Sequence, residues 1–221
     1  MAGRVDKSER SCFYGPVPRG ELTKASILDR ATALTSEVGL DGLTIGALAD
    51  ALEMSKSGLF SHFGSKEALQ VQVLDHAAAA FQEAVSRPAF QEPRGEPRMR
   101  ALFERWIEWG RSALPGGCPF VAASTEFDDR PGPVRDKLVA LQRDWFVAIA
   151  TTFRLGIAAG AFRRDADPEQ FAQDLYGIML GFYHAHRLLR DARAESRARR
   201  GFERLMAAAR VAGGPPPETT P

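Results

Sequence analysis

Residues 44–67 read TIGALADALEMSKSGLFSHFGSKE, and this stretch decides the fold of the N-terminal part of the chain. Its first half carries apolar residues at helical spacing behind a possible N-cap: Thr44, then Ile45, Leu48, Ala49 and Leu52. Only a tight turn fits before Ser55, which can cap a second helix, and Ser65 can cap a third. Two short helices joined by so tight a turn predict a helix-turn-helix, whose second helix can lie in the major groove of DNA.

The second helix of this motif is predicted to have two different faces. Leu59 and Phe63 lie one turn apart and should point inward together. The residues left for the other sides are Lys56, Ser57, Gly58, Phe60, Ser61 and His62. Residues 1–66 carry eight basic and eight acidic side chains, yet residues 54–66 contain no acid. This pattern favours a localised contact with DNA over a diffuse basic surface.

Residues 43–69, LTIGALADALEMSKSGLFSHFGSKEAL, resemble the DNA-binding signature of TetR-type (tetracycline-repressor-like) transcriptional regulators. In that family a Tyr or Phe, a His-Phe pair and a Lys-Glu pair close the recognition helix and open the fourth helix. The matching residues here are Phe60, His62, Phe63, Lys66 and Glu67. The N-terminal match covers residues 23–74, and the remainder is similar only in being helical, apolar and of the expected length.

The resemblance implies which residues contact double-stranded DNA. The base-facing positions are held by Lys56, Ser57, Gly58 and Phe60, and the phosphate-facing positions by Thr44, Ser61, His62 and Lys66. Glu53 stands where the family usually has Gly, so the turn should be less relaxed. Phe60 replaces the usual Tyr and removes a hydroxyl that would bond a phosphate.

The resemblance also implies a ligand-responsive homodimer that reads an inverted-repeat operator as a repressor and is released by a small-molecule effector. The effector is expected to be largely hydrophobic and to lie among the aromatic and apolar residues of the body. The candidates are Phe103, Trp106, Trp109, Phe120, Phe127, Trp145, Ile149, Tyr176, Met179, Tyr183 and His184. The last two helices resemble the family's dimerisation pair, although they can instead close the monomer core. The dimer candidates are Phe171, Leu175, Gly177, Ile178, Gly181, Phe182, Phe202, Leu205 and Met206.

Helical spacing continues along the chain, and no strand-period segment appears, so the fold class is predicted as all-α. An N-terminal helix-turn-helix domain of three helices precedes a larger helical ligand-binding and dimerisation domain. The predicted divisions are a flexible arm at 1–20, the DNA-binding domain at 21–66, the helical body at 67–212 and a disordered tail at 213–221. Arg4, Lys7, Arg10 and Arg19 of the arm can reach DNA, although a plain disordered tail is the favoured interpretation.

Local signals predict several helix ends and buried positions. Thr23 should cap the first helix, with Val38 on its inner face and Gly39 ending it. The segment 87–98 contains three prolines and is expected to break the helices. Pro119, Pro133 and Asp167 should begin helices, and Leu189 is placed on the apolar face of the helix after Asp167. His76 is interpreted as a partly buried, hydrogen-bonded histidine rather than a ligand group.

Composition excludes several other classes. The chain has 221 residues, 29 basic against 28 acidic, and only Cys12 and Cys118, which predict neither a disulfide framework nor a metal site. No signal peptide or long apolar run is found, which favours the cytoplasm and no membrane partner. No cofactor is expected, and the chain holds no catalytic constellation: His184 and His186, two apart, make a poor metal pair.

Two alternative functions stay open from the sequence. Cys118 follows Gly117 at a predicted helix start, a position that lowers a thiol pKa, so the chain can be a thiol-redox-sensing regulator. A helical adaptor that binds proteins, without specific DNA binding, is the other alternative.

Overall fold

The computed structural model describes residues 24–211, and within this range the chain is built from α-helices, with one isolated β-bridge between Phe162 and Arg210. The helices are α1 (Lys24–Val38), α2 (Ile45–Leu52), α3 (Lys56–Phe63), α4 (Lys66–Phe81), α5 (Arg87–Gln91), α6 (Glu96–Glu108), α7 (Pro119–Glu126), α8 (Pro133–Ala158), α9 (Pro168–Tyr183) and α10 (Ala194–Ala209). Single π-helical turns follow α4, α6 and α9 at Gln82–Ser86, Trp109–Ala113 and His184–Leu188. The all-α prediction is confirmed.

The described residues form two compact units. Residues 24–85 and 106–142 make the first unit, and residues 86–105 and 143–211 make the second. The first unit therefore contains the predicted DNA-binding helices together with α4, α7 and the start of α8. The sequence-based division placed a domain boundary between residues 66 and 67. The compact units do not divide there, because the small helical head (α1–α3) shares its core with later helices.

The core of the first unit explains why the head needs those later helices. Leu43, Leu48 and Leu59 are fully buried, and so are Leu69 and Leu74 from α4. Further apolar contacts come from α7 and α8 through Ala123, Phe127, Val134 and Leu138. Burying one leucine side chain is worth roughly 1.5–3 kcal/mol, so three short helices alone would be marginal. The helix that follows the helix-turn-helix therefore completes the core of α1–α3.

The second unit is held by aromatic stacks and Arg–Glu pairs. Phe103 and Phe202 stack with centroids 4.1 Å apart, and Phe153 stacks on Phe171 at 4.0 Å. Glu96 accepts from Arg210 at 2.6 Å, and the paired guanidinium of Arg210, with Arg100, lowers the pKa of Glu96 to about 2. The Phe103–Phe202 stack and the Arg210–Glu96 pair hold the first part of α6 against α10.

Most predicted helix starts are found. Asp167 accepts hydrogen bonds from the backbone N–H groups of Glu169 and Gln170 at 2.9 and 3.1 Å. Pro119 and Pro133 open α7 and α8. Gly39 follows α1 with φ of 81°, a backbone conformation that glycine adopts without a Cβ penalty. Thr23, Cys12, the cations of the arm and the C-terminal tail lie outside the described residues.

Two local predictions are wrong, and a third is confirmed in part. The segment 87–98 interrupts the helices at residues 92–95, but it also contains α5 and the first turn of α6, since proline is tolerated in a first helical turn. Val38 is 49% exposed because it ends α1, where the chain turns away. Leu189 is 62% exposed because the preceding π-helical turn shifts the helical phase. Within the described range, the structure contains no helix long and apolar enough to cross a membrane.

Candidate DNA-reading surface and its link to α7

Three side-chain caps position the helices of the head. Thr44 Oγ1 accepts from the backbone N–H of Ala47 at 3.0 Å, and Ser55 Oγ accepts from Gly58 at 3.1 Å. Ser65 Oγ accepts from Ala68 N–H at 3.1 Å at the start of α4. Each cap replaces a hydrogen bond that the helix backbone cannot make itself. All three predicted caps are confirmed.

The outward face of α3 is polar apart from one aromatic ring. Leu59 and Phe63 are buried, as predicted, while Phe60 is 53% exposed. The remaining predicted DNA residues of this helix are all exposed except Gly58, which is half-buried: Lys56, Ser57, Ser61 and His62. An eight-residue helix with this surface can enter a major groove and present donors, an apolar ring and little bulk at its first turn.

The side chain of Lys56 lies close to the start of α2. A Cβ atom built on Gly46 would lie 3.6 Å from Lys56 Nζ and 3.8 Å from Thr44 Oγ1. The ammonium group therefore lies beside the N-terminus of α2, next to the predicted phosphate-facing Thr44. One lysine can thus serve the helix predicted to read bases and lie close to a helix end predicted to face a phosphate.

The turn between α2 and α3 contains a left-handed residue that is not glycine. Glu53 has φ of 53° and ψ of 35°, and its N–H donates back to the end of α2. A non-glycine residue pays a steric cost in this region. The expectation that the turn is less relaxed here is therefore confirmed.

Lys66, which is predicted to contact a phosphate, also holds Asp41. Its ammonium donates to the backbone carbonyl of Asp41 at 2.6 Å and to Asp41 Oδ1 at 3.2 Å. Arg130 pairs with the other carboxylate oxygen at 2.8 Å, and the two cations lower the pKa of Asp41. An ammonium has three donors, so this arrangement leaves one for a phosphate.

The end of α7 supports the loop between α1 and α2. Glu126 Oε2 accepts from the backbone N–H of Asp41 at 2.7 Å. A Cβ on Gly39 would lie only 2.3 Å from Glu126 Oε1, so the carboxylate fills the space that glycine leaves. The contact joins residues 85 positions apart, and no local sequence signal could predict it.

The loop before α7 contacts α1 directly. Gly116 N–H donates to Ser36 Oγ at 2.9 Å, and a Cβ on Gly116 would lie 1.5 Å from the Ser36 carbonyl oxygen. Only glycine permits so close an approach of two backbones. Both ends of the α7 region are therefore attached to the head.

His76 is half-buried, and its Nε2 lies 2.6 Å from Asp29 Oδ1. The hydrogen bond joins α4 to α1 within the first unit. The interpretation of His76 as a partly buried, hydrogen-bonded histidine is confirmed.

The predicted effector residues are divided between the two units. In the first unit Trp106, Trp109 and Phe127 are buried and Phe120 is half-buried. In the second unit His184 is exposed, Trp145 and Tyr176 are half-buried, and the others are buried: Phe103, Ile149, Met179 and Tyr183. The indole N–H of Trp109 is buried and has no hydrogen-bond partner among the described residues.

The predicted dimer residues are of two kinds. Five of them fill the interior of the second unit and offer no surface to a partner: Phe171, Leu175, Phe182, Phe202 and Met206. Leu205 and Ile178 are half-buried, and Ile178 lies against Gly201 of α10. Gly177 and Gly181 are exposed, and a Cβ on either would meet no atom of the described chain within 4 Å. The sequence alone could not separate the face of these helices that closes the chain's own core from the face left outside.

Two other kinds of site considered from the sequence are a reactive thiol and a metal site. Cys118 is buried at the start of α7, with 7% of its surface exposed. Across residues 24–211, no three His, Cys, Asp or Glu side chains are arranged to hold a metal ion.

Comparison with protein-family models identifies both parts of the chain. Residues 27–73 match the model described as bacterial regulatory proteins of the tetR family, and residues 95–202 match the tetracyclin repressor-like C-terminal domain. The chain is also 26% identical over 155 residues to the HTH-type transcriptional repressor DhaR of Mycobacterium sp. strain GP1. That alignment covers 70% of this chain and 77% of DhaR.

Solved structures share the fold. A TetR transcriptional regulator from Chloroflexus aurantiacus is 26% identical with a TM-score of 0.74, covering 84% of this chain and 95% of its own. The structure of AibR in complex with isovaleryl coenzyme A and operator DNA is 22% identical with a TM-score of 0.65, covering 83% of this chain and 97% of its own. The chain therefore belongs to the TetR family of ligand-responsive, DNA-binding transcriptional regulators.

Proposed function

We propose that this protein is a homodimeric repressor that reads an inverted-repeat operator with α3 and is released from it by a small, largely hydrophobic effector. The observation that carries the proposal is the outward face of α3, where exposed polar side chains and the exposed ring of Phe60 stand on a helix anchored from behind by Leu59 and Phe63.

Sequence discrimination is assigned to the first part of α3. Lys56 can donate to the acceptors of guanine, and Phe60 can contact a thymine methyl group. Ser57 adds a hydroxyl, and Gly58 lets the helix approach the base edges closely. Because a two-fold dimer carries two such helices, the operator should contain two inverted half-sites.

Phosphate contacts are assigned to residues at helix ends. Thr44 and Ser65 leave backbone N–H groups of α2 and α4 directed outward, where the helix dipole favours an anion. Ser61 and His62 are exposed on α3, and the third donor of Lys66 is available beside Asp41. These contacts should fix the register on the duplex without reading its sequence.

The link from effector to DNA is assigned to α7. Glu126 at its end holds the Asp41 N–H, and Gly116 before its start holds Ser36 of α1. A ligand that favours one position of α7 therefore favours one position of the head. Only a ligand with different affinities for the two positions can release DNA.

Dimerisation is assigned to the side of α9 that the second unit leaves exposed. Gly177 and Gly181 lie four residues apart on this side, and Leu180 between them is 40% exposed. Small residues at this spacing allow the helix of a second copy to approach closely. The buried residues of α9 and α10 are excluded from this proposed face.

No catalytic role is proposed, and a regulator of chromosomal DNA would act in the cytoplasm. Neither a thiol switch at Cys118 nor an adaptor role without DNA binding has an observation that favours it over operator reading.

Selection of bound duplexes from a random DNA pool tests the proposal. The wild-type protein should enrich an inverted repeat, and Lys56→Ala should relax the sequence preference by about 1–3 kcal/mol at the contacted base pair. Lys137→Ala is the matched control, because Lys137 pairs with Asp75 and lies on α8. Absence of any enriched sequence at low salt would contradict operator reading.

The Lys66→Ala variant tests whether Lys66 contacts a phosphate or only positions Asp41. If the third donor of Lys66 reaches a phosphate, the plot of log K against log salt should become less steep, its negative slope decreasing in magnitude by about one. If Lys66 only holds Asp41, affinity should fall while the slope is unchanged. Titrations of one duplex at several salt concentrations distinguish the two roles.

A further inference from the structure

We propose that the effector site includes the indole N–H of Trp109 and takes an apolar, ring-sized molecule with one uncharged hydrogen-bond acceptor, such as a ketone, aldehyde or ester carbonyl. The inference rests on the proposed function and deepens it by naming the chemistry of the effector.

The central observation is a buried donor without a partner. Trp109 is 4% exposed, and its Nε1 has no hydrogen-bond partner within residues 24–211. The large majority of buried side-chain polar atoms in proteins are hydrogen-bonded. An indole N–H can only donate, so only an acceptor can satisfy it. Trp106, three residues earlier and equally buried, is not left without a partner.

The walls around Trp109 are aromatic. Phe81 of α4 meets the Trp109 ring edge-to-face with centroids 5.3 Å apart, and Phe120 of α7 meets Phe81 in the same way at 6.3 Å. Edge-to-face packing presents ring faces and edges that suit another planar ring. Phe120 is half-buried, whereas Phe81 and Trp109 are buried, so Phe120 is the ring of this cluster that has the largest exposed fraction.

The backbone at Trp109 also departs from a regular helix. The π-helical turn Trp109–Ala113 begins at this residue, directly after α6. Such turns occur frequently at functional sites, because they widen the helix and redirect a side chain. The same residue thus carries the unpaired donor and begins the irregular turn.

Charge distinguishes between possible acceptors. Burying an ionised carboxylate costs far more than a single hydrogen bond returns. One indole N–H among aromatic rings therefore suits a neutral carbonyl and disfavours an acid. A hydrocarbon of the same shape would fill the space but leave the donor unpaired.

The cluster is connected to the head through α7. Phe120 lies in the first turn of that helix and Glu126 is its last residue. A molecule inserted beside Phe120 shifts the helix whose other end holds the Asp41 N–H. The same site therefore supplies both recognition and release.

Three probes with one heavy-atom skeleton test the inference: isobutylbenzene, phenylacetone and phenylacetate. Binding to the full DNA-free chain is measured by ligand-observed NMR titration. Phenylacetone should bind about 5–10-fold more tightly than isobutylbenzene, because it alone pairs the indole N–H without bringing a charge. Phenylacetate should bind more weakly than phenylacetone.

Trp109→Phe should remove the ketone's advantage and leave the binding of isobutylbenzene unchanged within about twofold, whereas Trp106→Phe, the matched control, should keep the advantage. If Trp109→Phe does not fold, β-(3-benzothienyl)alanine at position 109 removes the N–H and keeps the ring shape. The inference is overturned if the advantage survives loss of the N–H, if phenylacetate binds best, or if the wild-type chain binds none of the probes.

Failure of this inference is distinguishable from failure of the proposed function. Duplex selection by the ligand-free protein tests operator reading alone. A protein that enriches an operator but shows no Trp109-dependent preference is a repressor with a different effector chemistry.

Discussion

The recognition helix α3 and the α9–α10 pair are stabilised in different ways. α3 has eight residues, of which only Leu59 and Phe63 are buried, and a serine cap begins it. α9 and α10 have sixteen residues each and contribute to aromatic stacks and Arg–Glu pairs. An isolated helix of eight residues is unstable in water, so the neighbours of α3 impose its conformation. Its outward side chains can therefore differ without loss of the fold, as the proposed reading of operator DNA requires.

The largest expected effect is a contrast between two phenylalanines, one that stabilises the fold and one that is proposed to contact DNA. Phe202→Ala removes the ring stacked on Phe103 and should lower the free energy of unfolding by about 3–5 kcal/mol. Phe60→Ala removes a ring that is 53% exposed and should change stability by less than about 0.5 kcal/mol while weakening operator binding. Urea unfolding and duplex titration of both variants check the contrast. Equal losses of stability would break it.

Acid should affect the second unit through Glu96. Its folded-state pKa is about 2 against an ordinary value of 4.5. Since the folded pKa is depressed, this stabilisation is complete above about pH 4.5 and is lost as pH falls toward about 2, in total about 1–3 kcal/mol. Unfolding at about pH 7 and about pH 3 should show this loss in the wild type and a smaller one in Glu96→Gln. Glu169→Gln, at an exposed carboxylate, is the control and should keep the wild-type dependence.

The smallest expected effect lies in the turn before α3. Glu53→Gly relieves the left-handed backbone at φ of 53° and should stabilise the protein by about 0.5–1 kcal/mol. Thermal unfolding should show a modest rise in Tm, with operator specificity unchanged because Glu53 is outside α3. A lower Tm would mean that the Glu53 side chain contributes more than the backbone strain costs.

The sequence predicted the head in detail because its signals are local. Thr44, Ser55 and Ser65 cap the helices that follow them, and Leu59 and Phe63 alternate with exposed residues at helical spacing. Each of these features depends on neighbours within about four residues. Local rules were sufficient wherever the controlling partner was also local.

Contacts between distant residues could not be predicted in this way. Asp41 binds Lys66, Arg130 and Glu126, of which even the nearest in sequence is 25 positions away. Periodicity also fails after a π-helical turn, which is why Leu189 is exposed. For α9 and α10, an apolar side chain that closes the chain's own core has the same sequence signal as one at an interface.

The close approach of Gly116 to Ser36 has a genetic consequence. Every missense change at codon 116 adds at least a Cβ where the Ser36 carbonyl oxygen would lie 1.5 Å away, so every such allele forces the loop and α1 apart. If the aromatic cluster around Trp109 is the effector site proposed above, mutations there would instead change which molecule is sensed. Inherited variation at codon 116 should therefore alter whether the regulator responds at all, whereas variation around Trp109 should alter what it responds to.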